Sequence, residues 1–249
     1  MTRDKVKFLD SLSTFKNILV FSPHFDDAIF SMGSLLTTLV NLNKKIKVIN
    51  VFTQGSQIIS EKNSKLLKQA NIPHSKEYFA RRKQEDWEAF QKIGKITIEN
   101  LDFIDAAWRV GKDNSPLYTQ TIMGEIHQAD KKLAKQVENK IKKFKKSLSN
   151  TAFFAPLGRG KHVDHQIVKN SITNNFDMVI YYTDYPYSRK YENEDKFIME
   201  FKLFEAIWQG DSKKKKKAVL TYKTQLASLS HLKQLKLTPE IFYFKSKIE

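Results

Sequence analysis

The chain has 249 residues and a formal net charge of +16. That length allows one large domain with a sizeable core, and 41% apolar with 12% aromatic residues excludes a disordered or fibrous chain. There is no cysteine, which excludes disulfides, thiol catalysis, iron–sulfur clusters and Cys-ligated zinc, so any metal must be held by His and carboxylates.

Of the 43 basic residues only six are Arg. Specific readers of phosphate and base edges lean on Arg forks, so the charge reads first as a Lys-rich surface, and no specific nucleic-acid partner is expected. No segment approaches the roughly 20 apolar residues that span a bilayer. Residues Met1 to Lys16 lack both the apolar core of a signal peptide and the Arg-rich face of a transit helix. The expectation is a cytoplasmic protein with no membrane span.

The elements alternate along the chain. Asn17–Ser22 (NILVFS) is a short, nearly continuous apolar run, as a strand covered on both faces should be, and it stops at Pro23. Ile29 to Leu42 has apolar residues at helical spacing. Ile46–Phe52 (IKVINVF) reads as a second strand, closed by Thr53-Gln54-Gly55-Ser56. Lys76–Ile93 is a charged amphipathic helix ended by Gly94, and Ile96–Leu101 is a weaker strand. Thr121–Ser147 reads as a long Lys-rich helical stretch, Thr151–Ala155 (TAFFA) as a strand, Val163–Thr173 as a helix and Met178–Thr183 as a strand. Further on, Phe197–Phe204 (FIMEFKLF) alternates like a strand, Lys213–Lys233 reads as a helix and Ile241–Phe244 as a last strand.

This order predicts an α/β fold with a mostly parallel sheet, within one domain spanning 1–249, since no Pro/Gly/Ser-rich linker interrupts it. Ligands of open parallel sheets bind beyond the carboxyl ends of the strands. The loops after Ser22, Phe52, Leu101, Ala155 and Thr183 are therefore where chemistry is expected. No Gly-x-Gly-x-x-Gly follows the first strand, so no dinucleotide site is expected.

Two of those loops hold three of the six histidines, in Pro23-His24-Phe25-Asp26-Asp27 and His162-Val163-Asp164-His165. Both clusters stand at strand-to-helix junctions, which a parallel sheet places on one edge. Imidazole and carboxylate suit a borderline divalent metal. His24, one of the two aspartates and one of the two histidines would supply three ligands and leave a position open for water. The remaining carboxylate would serve as general base and the remaining histidine would stabilise an oxyanion. Such a set suits metal-assisted hydrolysis, because a bound metal lowers the pKa of water from 15.7 to about 7.

These motifs resemble those of the LmbE-like / PIG-L family of zinc-dependent N-deacetylases, namely His-x-Asp-Asp after the first strand and His-x-Asp-His further on. Thr53-Gln54-Gly55-Ser56 is similar to the family's Thr-x-Gly loop. Arg82-x-x-Glu85-x-x-x-Ala89 is similar to its Arg-x-x-Glu helix, and Lys215-x-x-Ala218-x-x-x-Tyr222-x-x-Gln225 to a later signature. Two positions depart from the usual motif: Ala28 stands where Glu is common and Phe25 where Pro is common.

The resemblance implies a Rossmann-like three-layer α/β/α fold. It implies Zn2+, or another divalent metal, on His24, Asp27 and His165. Asp26 would be the general base, and His162 would stabilise the oxyanion or protonate the leaving amine. Asp164 would hydrogen-bond a motif histidine, and Arg82 would grip the sugar or its phosphate. The implied activity is removal of an N-acetyl or small acyl group from an amino sugar of N-acetylglucosamine type by a zinc-bound water, and the Lys-rich surface would add a bias toward anionic sugars. Alternatives are a zinc amidase acting on another acyl or conjugate amide, and a non-catalytic scaffold for anionic glycans or nucleic acid.

From their place in a loop after a strand, Asp105 and Arg109 are further substrate-binding candidates, with surface salt bridges as the alternative. Trp108 would stack on a sugar or pack in the core. Of Tyr181, Tyr182, Tyr185 and Tyr187, one would enter the pocket while the rest pack. Lys213–Lys217 is read as a solvated helix start, with an anionic-partner patch as the alternative.

Overall fold

A computed structural model describes residues 3–147, 150–186, 195–229, 237 and 239–245. Tyr187, His231 and the end of the Lys213–Lys233 stretch lie outside the described residues. The elements in chain order are α1 (Arg3–Ser13), β1 (Asn17–Ser22), α2 (Asp27–Asn41), β2 (Lys45–Gln54), α3 (Glu61–Ala70), α4 (Ser75–Ile93), β3 (Thr97–Ile104) and α5 (Lys131–Lys142). They continue with β4 (Thr151–Pro156), α6 (Val163–Thr173), β5 (Val179–Tyr182), α7 (Asp195–Glu200), β6 (Phe204–Trp208), α8 (Ser212–Val219), α9 (Lys223–Ser228) and β7 (Glu240–Phe244).

The strands form one seven-stranded sheet in the order β3-β2-β1-β4-β5-β7-β6 among the described residues. Strands β3, β2, β1, β4 and β5 run parallel to one another, and β7 and β6 add an antiparallel margin. Successive side chains of β1 go to opposite faces, as the two-residue period of a strand requires. Ile18 and Val20 join the core formed with α1, α2, α4 and α8, while Leu19 and Phe21 join the core formed with α5 and α6. Helices on both faces give the three-layer, mostly parallel architecture expected from the strand pattern. The direction of chain progression reverses between β1 and β4, the switch point at which such sheets open a crevice. Both histidine motifs leave the sheet at that point.

Several elements differ from the sequence reading. FIMEFKLF is not one strand: α7 occupies Asp195–Glu200, and β6 begins only at Phe204. Its large apolar residues also fit an i, i+4 spacing, and the tilted rings of Phe197 and Phe201 lie with centroids 4.5 Å apart. The Thr121–Ser147 stretch is a true α-helix only over Lys131–Lys142. Its first residues instead tie to the second motif, with Val163 N–H donating to Ile122 O at 3.0 Å and Gly124 N–H to Lys161 O at 2.9 Å. Lys213–Lys233 holds two short helices, α8 and α9. Helices α1 and α3 are additional to the elements expected from the sequence.

The lysine run is not uniformly solvated. Lys215 points inward, packs on Gly33 and donates to Glu240 at 2.8 Å. Glu240 also accepts from the N–H groups of Ser34 and Leu35, at 2.7 and 2.9 Å, just after α2 departs from helical dihedrals at Met32. The carboxylate thus caps the second half of a broken helix. No helix among the described residues is long and apolar enough to cross a membrane.

Candidate metal centre and active site

The turn after β1 is built by its own residues. Ser22 donates to His24 O at 2.6 Å and accepts from Ala28 N–H at 3.1 Å, and His24 N–H donates to Asp27 Oδ2 at 2.8 Å. These bonds turn the His24 ring back over the sheet edge. Opposite it, the loop after β4 ends in α6, with His162 as the helix cap and His165 in the first turn. The ring centroids of His24, His162 and His165 lie 4.9–5.3 Å apart.

His24 Nδ1 lies 3.0 Å and His165 Nε2 3.3 Å from Asp27 Oδ2. Tetrahedral zinc with bonds of about 2.0–2.1 Å has ligand–ligand edges of about 3.3 Å, so two imidazoles and a carboxylate at these separations fit one divalent ion. A second grouping, His24, His162 and Asp164, is also close enough. There, however, Asp164 is already engaged: Oδ2 accepts from Ala106 N–H at 2.9 Å and faces His24 Nε2 at 3.0 Å, and Oδ1 is paired with Arg109. The first grouping is the better fit.

Each candidate ligand histidine has a carboxylate on its far nitrogen: Asp164 behind His24 at 3.0 Å and Asp184 behind His165 at 2.6 Å. Such partners fix the tautomer and leave the other nitrogen free to ligate. Asp184 was missed in the sequence reading. It follows β5, in the loop after Thr183 where a ligand was expected, and no local motif sets it apart from the neighbouring tyrosines. Its other oxygen accepts from the N–H groups of Gly158 and Arg159, at 2.7 and 2.9 Å, which joins the β4 and β5 loops.

Asp26 and Arg82 form a buried pair, with Nη2 to Oδ1 at 3.1 Å. Burial raises the Asp26 pKa and the charge of Asp27 adds to this, against the opposing pull of Arg82. Burial, reinforced by the His165 and His24 charges, holds His162 well below the ordinary histidine range. Its Nδ1 accepts from Asp164 N–H at 3.2 Å, which assigns the proton of a neutral ring to Nε2.

A cavity of about 190 Å³ opens over this cluster, lined among others by His24, Asp26, Asp27, Arg82, Asp105, Trp108 and His162. Asp105 lies 3.6 Å from Arg82 and 3.8 Å from His24. Trp108 is 1% exposed, lines the cavity and packs on Tyr78 and Phe79. Gly55 lets that aromatic wall close, since a Cβ there would stand 2.5 Å from Phe79. The structure thus brings together eight of the nine expected site residues around the cavity or directly behind it. Arg109 is placed differently: its guanidinium is buried between Asp164 and Asp130 and is not part of the cavity lining.

An α/β sheet with a His/Asp cluster at its switch point defines a class, and comparison with known proteins identifies the family. Residues 19–176 match PIG-L: GlcNAc-PI de-N-acetylase, and the chain belongs to this family. It is 27% identical over 228 residues to the 2'-N-acetylparomamine deacetylase of Niallia circulans, covering 85% of this chain and 81% of that protein. A deacetylase of teicoplanin biosynthesis superposes with a TM-score of 0.75 at 18% identity, over 93% of this chain and 99% of the other. A zinc-inhibited form of the teicoplanin deacetylase gives 0.74 at 17% identity, over 93% and 99%.

Proposed function

We propose that this chain is a metal-dependent hydrolase that removes an N-acetyl or other small acyl group from an amino sugar. The observation that carries the reading is the convergence of His24 Nδ1, Asp27 Oδ2 and His165 Nε2 beside the Asp26 carboxylate on one cavity. The names of the relatives, acting on acetylated paromamine and in teicoplanin biosynthesis, support an N-acylated amino sugar. One sheet runs from β3 to β6, and we read residues 1–249 as one catalytic domain.

A divalent ion held by His24, Asp27 and His165 would supply a nucleophile near neutral pH and polarise the amide carbonyl. Asp26 takes the proton from the attacking water, and its raised pKa brings it closer to working pH as a base. Neutral His162 presents Nε2–H to the carbonyl oxygen as negative charge develops there. The proton held on Asp26 passes to the amide nitrogen, the C–N bond breaks, and acetate and the free amine leave. Arg82 orients Asp26, and with Asp105 it offers a donor and an acceptor to sugar hydroxyls. Asp164 and Asp184 hold the two ligand imidazoles.

The test is acetate release from a panel of N-acetyl amino sugars, free, phosphorylated, nucleotide-linked and glycan-bound, using protein stripped of metal and then reloaded with zinc or other divalent ions. Acetate release that needs a divalent ion and is lost in His24→Ala supports the reading. Release by the stripped protein, or none from any amide with any metal, overturns it. Because one solved relative is described as zinc-inhibited, the metals are compared at low and high concentration.

A further inference from the structure

Asp26 stands at the N-cap of α2, but its carboxylate makes no cap hydrogen bond. A side chain at that position ordinarily accepts from the first turn of its own helix. The Asp26 carboxylate is turned to Arg82 instead, so its placement depends on what holds the backbone beneath it. That backbone has a partner the mechanism does not use. Tyr222 Oη lies 3.2 Å from Phe25 O. The Phe25 carbonyl and the Asp26 N–H belong to one rigid peptide plane that ends at the Asp26 Cα. A donor on that oxygen therefore fixes the direction in which the Asp26 side chain leaves the chain.

Tyr222 is itself firmly held. It is 1% exposed and lies in the turn between α8 and α9. Its ring meets that of Phe30 edge-on, with centroids 5.5 Å apart, and Phe30 N–H donates to Asp26 O at 2.9 Å. One tyrosine thus touches both ends of the first turn of α2. Its hydroxyl also lies 2.7 Å from Asp86 Oδ1. Two residues further on, Thr224 donates to Glu85 from its hydroxyl at 2.6 Å and from its N–H at 3.2 Å. Glu85 and Asp86 stand on α4, one turn after Arg82. A single helix therefore reaches Asp26 twice, through Arg82 to its carboxylate and through Asp86 and Tyr222 to the peptide before it.

We propose that Tyr222 is a positioning residue for the Asp26 base, holding the Phe25–Asp26 peptide so that the carboxylate points into the cavity. The proposal deepens the hydrolase reading above and rests on it for the role of Asp26. Tyr222 does not line the cavity, so it acts on the reaction only through Asp26.

The experiment compares wild type with Tyr222→Phe, which removes one oxygen and keeps the ring on Phe30. Both are zinc-loaded and given the N-acetyl amino sugar of the panel above that wild type cleaves fastest. The expected result is a kcat about three- to tenfold lower, the range of one hydrogen bond between uncharged groups. KM and metal affinity, the latter by chelator competition, should stay within about twofold. On an Asp26→Asn background the same substitution should cost less than about twofold, because residues that act as a unit are not additive. A second readout needs no turnover. The Asp26 carboxyl carbon, labelled with ¹³C and assigned by its loss in Asp26→Asn, is recorded in metal-free protein. Its resonance should move in Tyr222→Phe while that of Asp184 stays.

An unchanged kcat or an unmoved Asp26 resonance overturns the proposal. So does a loss that metal affinity shares or that recurs in full on the Asp26→Asn background, because the whole turn has then loosened. Where Tyr222→Phe does not fold, the pair Tyr222→Phe and Asp86→Leu removes both ends of their bond, which leaves no buried carboxylate orphaned, and is judged by the same outcomes. Should wild type cleave no amide with any metal, the deacetylase reading falls, and the carbon resonance alone decides whether Tyr222 places Asp26.

Discussion

Asp184 Oδ1 lies 2.6 Å from Nδ1 of His165, on the side of the imidazole opposite the nitrogen that faces Asp27. The carboxylate and the ring are 19 residues apart in sequence and come from the loops after neighbouring parallel strands. Asp184→Asn keeps the shape of the side chain but removes the charge that holds the Nδ1 proton. Metal affinity, measured by competition with a chelator, is expected to fall about 10–100-fold. Unchanged affinity would show that His165 is oriented by packing alone.

Asp26 is read as the base and not as a ligand. Asp26→Asn should therefore bind metal as wild type does while acetate release falls about 10²–10⁴-fold, the usual contribution of a positioned base. The two quantities are to be measured on the same preparation. Loss of metal together with activity would instead make Asp26 a ligand.

Arg109 acts through stability. Its guanidinium is buried between Asp164 and Asp130, and Tyr118 donates to Asp130 at 2.6 Å. Arg109→Met leaves two buried carboxylates without their cation, a change that costs about 3–5 kcal/mol. Urea unfolding of metal-free protein should show that loss, and Arg109→Lys should recover part of it. A variant as stable as wild type would mean that the pair is solvated in solution.

Asp86 offers a pH test away from the metal ligands. It is buried and accepts from Tyr222 at 2.7 Å and Asn50 at 2.8 Å. Burial raises its pKa well above the ordinary value, against these hydrogen bonds. The folded protein therefore keeps a proton there that the unfolded chain has lost by about pH 4. Its contribution to stability is fully present below that pH and is lost as pH rises through the folded-state pKa. Asp86→Asn cannot titrate, so the stability of wild type relative to this variant should decline as pH rises. A difference that stays constant from pH 4 to 9 would show an ionised Asp86 throughout.

Much of the site was legible locally. His24, Asp26 and Asp27 follow an apolar run ended by proline, and His162 and His165 follow another. A turn after a buried strand is a short-range pattern, and parallel strands bring such turns to one edge. What was missed lacked a local signature. Asp184 stood among tyrosines that looked equally plausible, and Arg109 looked like a loop residue open to substrate. FIMEFKLF satisfied both a two-residue and a four-residue apolar period, and only the packing of Phe197 against Tyr181 and Phe201 chose the helix.

By itself, then, the sequence determined the α/β class, the absence of thiol chemistry and the two motifs at strand ends, because each depends on residue type and on spacing within one segment. The tertiary structure decided which nitrogen of each histidine faces Asp27 and that Arg109 holds Asp164 where substrate binding had been expected. Those facts depend on groups distant in the chain. The free energy that fixes them comes from burial and from charges meeting in a poorly solvated space, which exists only once both faces of the sheet are covered.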